Sequence, residues 1–132
     1  MASDFLPPNF PPELATVAFS SGEEMAWSPN HAVLAVEWFG SHGYAILGTE
    51  LWLVQTDGIQ SLPSGHDGVR GVHGNTVNRQ KGEAWNSFVV RSTAETRAYL
   101  QAFNRSDITE PGQLYFNVVW VSESGFKELA PA

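Results

Sequence analysis

The sequence contains no cysteine. That absence excludes a disulfide scaffold, a thiol nucleophile and a thiolate metal site. Positive charge is scarce, and no Lys or Arg occurs before Arg70. Binding to a phosphate backbone needs clustered Lys and Arg, so nucleic acid is not an expected partner. No apolar run reaches the roughly 18 residues of a membrane span, so no membrane association is expected. A basic segment followed by an apolar run is missing at the N-terminus, which predicts a cytoplasmic protein. No Gly-Lys-Ser/Thr step, nucleophile elbow or helical His-x-x-x-His is present. The expectation is therefore no catalytic residue, no metal ligand and no cofactor.

What remains is a globular composition. The chain has 132 residues, 42% hydrophobic and 12% aromatic, with a net charge of -7. That length fits one domain with its own core. The charge is segregated. Asp4, Glu13, Glu23, Glu24, Glu37, Glu50, Asp57 and Asp67 precede the first base. Six bases (Arg70, Arg79, Lys81, Arg91, Arg97 and Arg105) then face only Glu83 and Glu95 before the chain turns acidic again. An acidic first half suits a basic protein partner, and it equally serves solubility.

The order of local signals predicts an α+β fold in a single domain over 1–132. It has a mostly antiparallel or mixed sheet of about five strands and two main helices. Residues 1–11 read as an extended Pro-rich arm. Pro12 can open a short helix through Phe19, with a strand at Ala15–Phe19 as the alternative. The first main helix starts at Ser28 as cap, with Pro29 in the first turn and Gly43 at the left-handed terminus. Ala32, Val36 and Phe39 share its core face, which leaves Leu34, Glu37 and Trp38 on or beside the wetter one. Either the N-terminal arm or a partner covers Leu34 and Trp38. Ser92-Thr93-Ala94-Glu95 reads as a capping box opening the second helix. Strands are expected at Tyr44–Leu47 and Glu50–Val54 with a join or kink at Gly48, at Ile59–Leu62 after an Asp57-Gly58 turn, at Ala84–Arg91 and at Gln113–Val121. The last is apolar almost throughout, so it should lie centrally.

Segment 63–82 reads as a Gly-rich loop, with Gly65, Gly68, Gly71 and Gly74 at every third position. Loops of that length in a small domain are often functional. His66, Asp67, Arg70, His73 and Asn75 supply imidazole and carboxylate for acid–base work, although nothing fixes their geometry. Glu50 opens an apolar strand, where it could accept a backbone or hydroxyl hydrogen bond at a bend. Five tryptophans suggest core packing first, with Trp38 the exception by helical phase.

Several short stretches carry a resemblance. Ala26-Trp27, the helix Ala32-Val33-Leu34-Ala35-Val36-Glu37 and the run Gly43-Tyr44-Ala45-Ile46-Leu47-Gly48-Thr49-Glu50-Leu51-Trp52 stand in a characteristic order. Glu83-Ala84-Trp85, Arg91-Ser92 and the closing apolar strand follow. Over roughly 12–121 the chain resembles the bacterial Immunity protein 40 family of polymorphic toxin systems. The resemblance implies an inhibitor that neutralises a cognate toxin by binding it, not an enzyme.

With that resemblance, the expected partner is a cognate toxin protein, and the acidic first half suits a basic one. The expected contact residues are Leu34, Glu37, Trp38, Glu50, Asp57 and Asp67. The alternative is a small-molecule-binding or catalytic α+β domain using the 63–82 loop. A third is self-association through the Leu34–Trp38 face.

Overall fold

The computed structural model describes residues 6–55, 58–61, 74–108 and 112–129. Among them are four α-helices and six strands: α1 Pro12–Val17, β1 Phe19–Ser21, β2 Glu24–Trp27, α2 Pro29–Ser41, β3 Ala45–Gln55, β4 Gly58–Ser61, β5 Gly74–Thr76, α3 Trp85–Ala102, β6 Gln113–Val121 and α4 Glu123–Leu129. Arg105–Asp107 form one 3-10 turn. All the strand pairs are antiparallel, so the fold is α+β. The sheet runs β1-β2-β6-β3-β4, and β5 also pairs with β3. Since β4 meets Trp52–Gln55 and β5 meets Gly48–Glu50, these two short strands lie one after the other along the same edge of β3.

The apolar run of β6 lies inside the sheet, as its composition predicts, with β3 on one side and β2 on the other. β3 is one strand and not two. Ile46 pairs with Trp120 and Gly48 with Val119, so Leu47 is the extra residue of a bulge. Strand alternation then sorts the side chains. Leu51, Leu53, Leu114, Phe116 and Val118 enter the main core with Ala32, Val36 and Phe39 of α2. Glu50 and Trp52 therefore stand on the opposite face of the sheet.

α2 follows its sequence signals closely. Ser28 is its N-cap residue, Pro29 lies in the first turn, and Gly43 just beyond the helix has φ 86°. The Ser28 hydroxyl, however, meets His31 Nδ1 at 3.0 Å and makes no cap hydrogen bond. The N-terminal arm does not simply run extended. It turns at Pro7–Phe10, where the Phe10 N–H donates to the Pro7 carbonyl, and it buries Phe10 against Trp27, Trp38 and Phe39. The Trp27 indole N–H donates to the Leu14 carbonyl at 2.8 Å and fastens α1 to the same cluster. Each large side chain buried this way contributes roughly 1.5–3 kcal/mol.

Two expectations are corrected in the second half. Ala84–Arg91 is not a strand, and Ser92 does not begin a helix; α3 runs unbroken from Trp85 to Ala102. Its buried residues Trp85, Phe88, Val89, Ser92, Thr96 and Leu100 recur at helical spacing, which outweighs the β propensity of Phe-Val-Val. Ser92 lies fully buried within the helix. Its hydroxyl donates to the Val89 carbonyl and accepts the Ile46 N–H at 3.0 Å, beside the β3 bulge. The helix thus satisfies a backbone donor that the bulge removes from the ladder. The second correction concerns segment 63–82, whose described part is not all loop. Gly74–Thr76 is a strand, and the buried Val77 donates its N–H to the Leu47 carbonyl at 2.9 Å.

α2 and α3 pack antiparallel, with Gly40 against Thr93 and Glu37 near Arg97. A Cβ on Gly40 would fall inside the Thr93 side chain, so glycine sets this approach. A second, smaller core gathers Trp85, Phe88, Val89 and Val121 with Phe126 of α4. The Arg79 guanidinium lies 5.5 Å from both the Trp85 and Phe126 rings. Arg91 donates to both oxygens of Glu83 at 2.8 Å, and to Glu95 and the Asn78 carbonyl. That clasp ties the turn before α3 to the helix. The Arg91 hydrogen bonds, helped by the Gln80 N–H, hold the Glu83 carboxyl at about 2 against an ordinary 4.5.

Two measurements follow. Gly40→Ala should cost about 1–3 kcal/mol through overpacking, and adding Thr93→Ala should recover most of that in a denaturation double-mutant cycle. The depressed Glu83 carboxyl contributes stability that is fully present above pH 4.5 and lost as pH falls toward 2. Glu83→Gln should therefore lower the melting temperature near neutrality, and the gap to the wild type should close across that acid window.

Candidate functional site

α2 and the second half of α3 pack on one face of the sheet; on the other face, beyond the end where Ala45 and Val121 pack on Trp85, Phe88 and Phe126, stands a row of polar and aromatic side chains. Ala26 of β2, Asn117 of β6 and Glu50 of β3 are consecutive cross-strand neighbours, with Gly74 of β5 beyond them. In the adjacent row, Val119, Gly48 and Thr76 are neighbours. Glu24 precedes Ala26 by two positions, so it shares this face. On this face lies a concavity of about 300 Å³ whose margin includes Glu24, Glu50, Thr76, Asn117 and Val119.

The hollow has a backbone cause. Gly48 stands between Val119 and Thr76 and contributes no side chain. A Cβ there would meet the Asn75 carbonyl, and one on Gly74 would meet the Thr49 carbonyl, so both glycines permit β3 and β5 to close up. On the helix side, Asn75 fixes β5. Its Oδ1 accepts the Thr49 hydroxyl at 2.6 Å and its Nδ2 donates to the Thr96 hydroxyl of α3 at 3.0 Å.

Two side chains define the chemistry of the hollow. Glu50 is half-buried and accepts the Trp52 indole N–H at 3.0 Å. The sequence suggested a backbone or hydroxyl partner for Glu50, and the Trp52 indole is one group it bonds. Asn117 is only 3% exposed. Its Nδ2 donates to the Met25 carbonyl at 2.9 Å across the interior of the sheet. That bond stands where β2 leaves β6, because the two strands pair only at Ala26/Asn117 and Trp27/Phe116.

The expected contact residues divide between the two layers. Leu34, Glu37 and Trp38 lie together on α2. Leu34 is 51% exposed. Glu37 stands 3.6 Å from the Arg97 guanidinium. Trp38 is half-buried, covered by Phe10 from the arm and stacked on His42 at 4.0 Å between ring centroids. Glu50 belongs to the far face of the sheet, so one flat partner surface cannot touch it together with the α2 group. Asp57 and Asp67 lie outside the described residues, as do His66, Arg70 and His73. Of Glu24, Glu50, Thr76, Asn117 and Val119 on the margin of the concavity, only Glu50 was singled out in the sequence. Asn117 had a signal, since it is the lone amide side chain in the run from Leu114 to Val121. Glu24 had none beyond its sign.

Four described arginines are engaged by other groups. Arg91 is held by Glu83 and Glu95, Arg97 by Glu37, and Arg79 stacks on rings and donates to the Glu83 carbonyl. Arg105 donates to the Ile108 carbonyl at 2.6 Å. Among the described residues, those around the concavity include two acids and no base. A second cleft of about 470 Å³ opens at the start of α2 beside Asn30, Phe103, Arg105 and Tyr115. No helix of the described residues is long and apolar enough to cross a membrane. No group of three His, Asp or Glu among them could hold a metal ion.

The family model for Immunity protein 40 matches residues 13–120, so the chain belongs to that family. No curated protein and no solved structure matches it.

Asn75→Ala should leave the Thr49 and Thr96 hydroxyls without their shared partner. The expected cost is about 1–3 kcal/mol, with faster hydrogen exchange confined to Gly74–Val77.

Proposed function

We propose that this member of the Immunity protein 40 family neutralises a cognate bacterial toxin by stoichiometric binding in the cytoplasm, without catalysis. The carrying observation is the concavity on the sheet face opposite α2, bordered by Glu24 and Glu50 with no base among its described residues. The complementary partner is basic. Negative charge focused in a concave surface raises the encounter rate with a positive patch and fixes orientation. Inhibition then follows from occlusion of the toxin surface, with one immunity protein per toxin.

A second contact surface is favoured by one observation, the exposed Leu34 on α2 beside the Glu37–Arg97 pair. Its charge is already offset, so it suits an apolar contact more than electrostatic steering. The two surfaces make different predictions for charge reversal.

The test is co-expression with the toxin encoded beside this gene, followed by light scattering and binding measurements at low and high salt. The expected result is a one-to-one complex that weakens with salt. Glu24→Lys should weaken it by about tenfold, or about 1.4 kcal/mol, and flatten the salt dependence. Glu37→Lys should have a smaller effect. Absence of a complex would sink the immunity reading, and a larger loss with Glu37→Lys would move the contact to α2.

A further inference from the structure

We infer that Trp85, Phe88 and Arg79 form a seat for one aromatic side chain, which α4 fills with Phe126 and can vacate. The occupant now in place shows the chemistry of the seat. The Phe126 ring lies 5.7 Å from the Trp85 ring and 5.7 Å from the Phe88 ring, tilted on the first and edge-on to the second. The Arg79 guanidinium stands 5.5 Å from its centroid. Tilted and edge contacts between rings, and a cation beside a ring face, are attractions that an aliphatic group does not make. The seat is held without help from α4. The Trp85 indole N–H donates to the Gly43 carbonyl at 3.0 Å, and the Arg79 Nε–H donates to the Glu83 carbonyl at 2.9 Å. Phe88 belongs to the buried face of α3. A cleft of about 510 Å³ opens beside the Phe126 ring, bordered by Arg79, Gly82, Glu83 and Ala84, so the seat has an approach from solvent.

α4 itself is weakly attached. None of its residues is buried, and Leu129 at its end is 66% exposed. Among the described residues, no side chain of Glu123–Leu129 forms an ion pair or a hydrogen bond with another helix or strand. The helix has seven residues. Isolated helices below roughly 12–15 residues are marginal in water, so α4 keeps its place through the Phe126 contact. Elements with few buried apolar contacts open locally, at a lower free energy than global unfolding. The family match covers 13–120 and leaves α4 out. The competing occupant is an aromatic side chain of the partner, entering beside Arg79. Naming the toxin as its source rests on the immunity reading; the seat and its cover do not. α4 then acts as a tethered competitor and lowers the affinity of the seat for a ring offered from another molecule.

Two measurements on the full chain test this. Amide hydrogen exchange of the unmodified protein reads the cover. The amides of α4 should exchange about 100-fold or more faster than those of α3, which open only with the whole fold. Two-dimensional NMR then reads the seat, with Phe126→Ala as the vacated form. N-acetyl-phenylalanine amide should bind that variant saturably and shift the Trp85 indole N–H and the backbone amides of Phe88 and Val121. The unmodified protein should bind the same probe about tenfold more weakly, because the tethered ring competes. N-acetyl-cyclohexylalanine amide, similar in shape but without a π face, should bind the variant several-fold more weakly than the phenylalanine probe. Exchange of α4 only together with α3, or global unfolding of Phe126→Ala, would overturn the cover. No shift at the named positions, equal binding of the two probes, or equal binding by the two proteins would overturn the seat. These readouts use no toxin, so their failure is distinct from failure of the immunity reading, which shows as absence of a complex.

Discussion

The pairing of β3 with β6 is the constraint on which the rest of this fold depends. It joins Ala45–Val54 to Gln113–Val121, segments separated by most of the second half of the chain. β2 attaches to one member of the pair, and β4 and β5 attach to the other. α2 and α3 then cover the face that Leu51, Leu53, Leu114 and Phe116 make apolar. Such a long-range ladder closes a large loop before most of its contacts exist, so burial on the helix side must offset that entropy. The Leu47 bulge interrupts the ladder at one point, and Ser92 of α3 bonds the Ile46 N–H there. Sheet and helix layer are therefore held in register by a hydroxyl as well as by packing.

Much of this was legible in the sequence because it was local or periodic. The Ser-Pro start of α2, its core face and the central apolar strand all depend on signals within a few residues. The helical start of α3 was not legible. Trp85-Asn86-Ser87-Phe88-Val89-Val90 favours a strand by composition, and only its packing against β3 and α2 makes it a helix. The apparent capping box at Ser92 carried real chemistry in a different place, since a buried hydroxyl can serve a neighbouring strand as readily as its own helix end. The concavity was illegible for the same reason. Glu24, Glu50, Thr76 and Asn117 are far apart in the chain, and only strand register makes them neighbours.

The charge split in the sequence has a partial structural resolution. The basic stretch does not form a field of its own among the described residues. Arg91 is neutralised by Glu83 and Glu95 from the same segment, and Arg97 reaches across to Glu37 on α2. The helix layer is therefore close to balanced. The acids of β2 and β3, Glu24 and Glu50, stand on the other face of the sheet.

The short contact between β2 and β6 has a further consequence. Beyond Asn117, the edge of β6 on that side has no strand partner among the described residues, and Glu23 and Glu24 line the notch beside it. An open edge is a template for sheet extension between molecules, which is a route to aggregation. A second copy approaching that edge would bring its own two carboxylates against these. Like charges brought together in that way oppose sheet extension between copies of this chain.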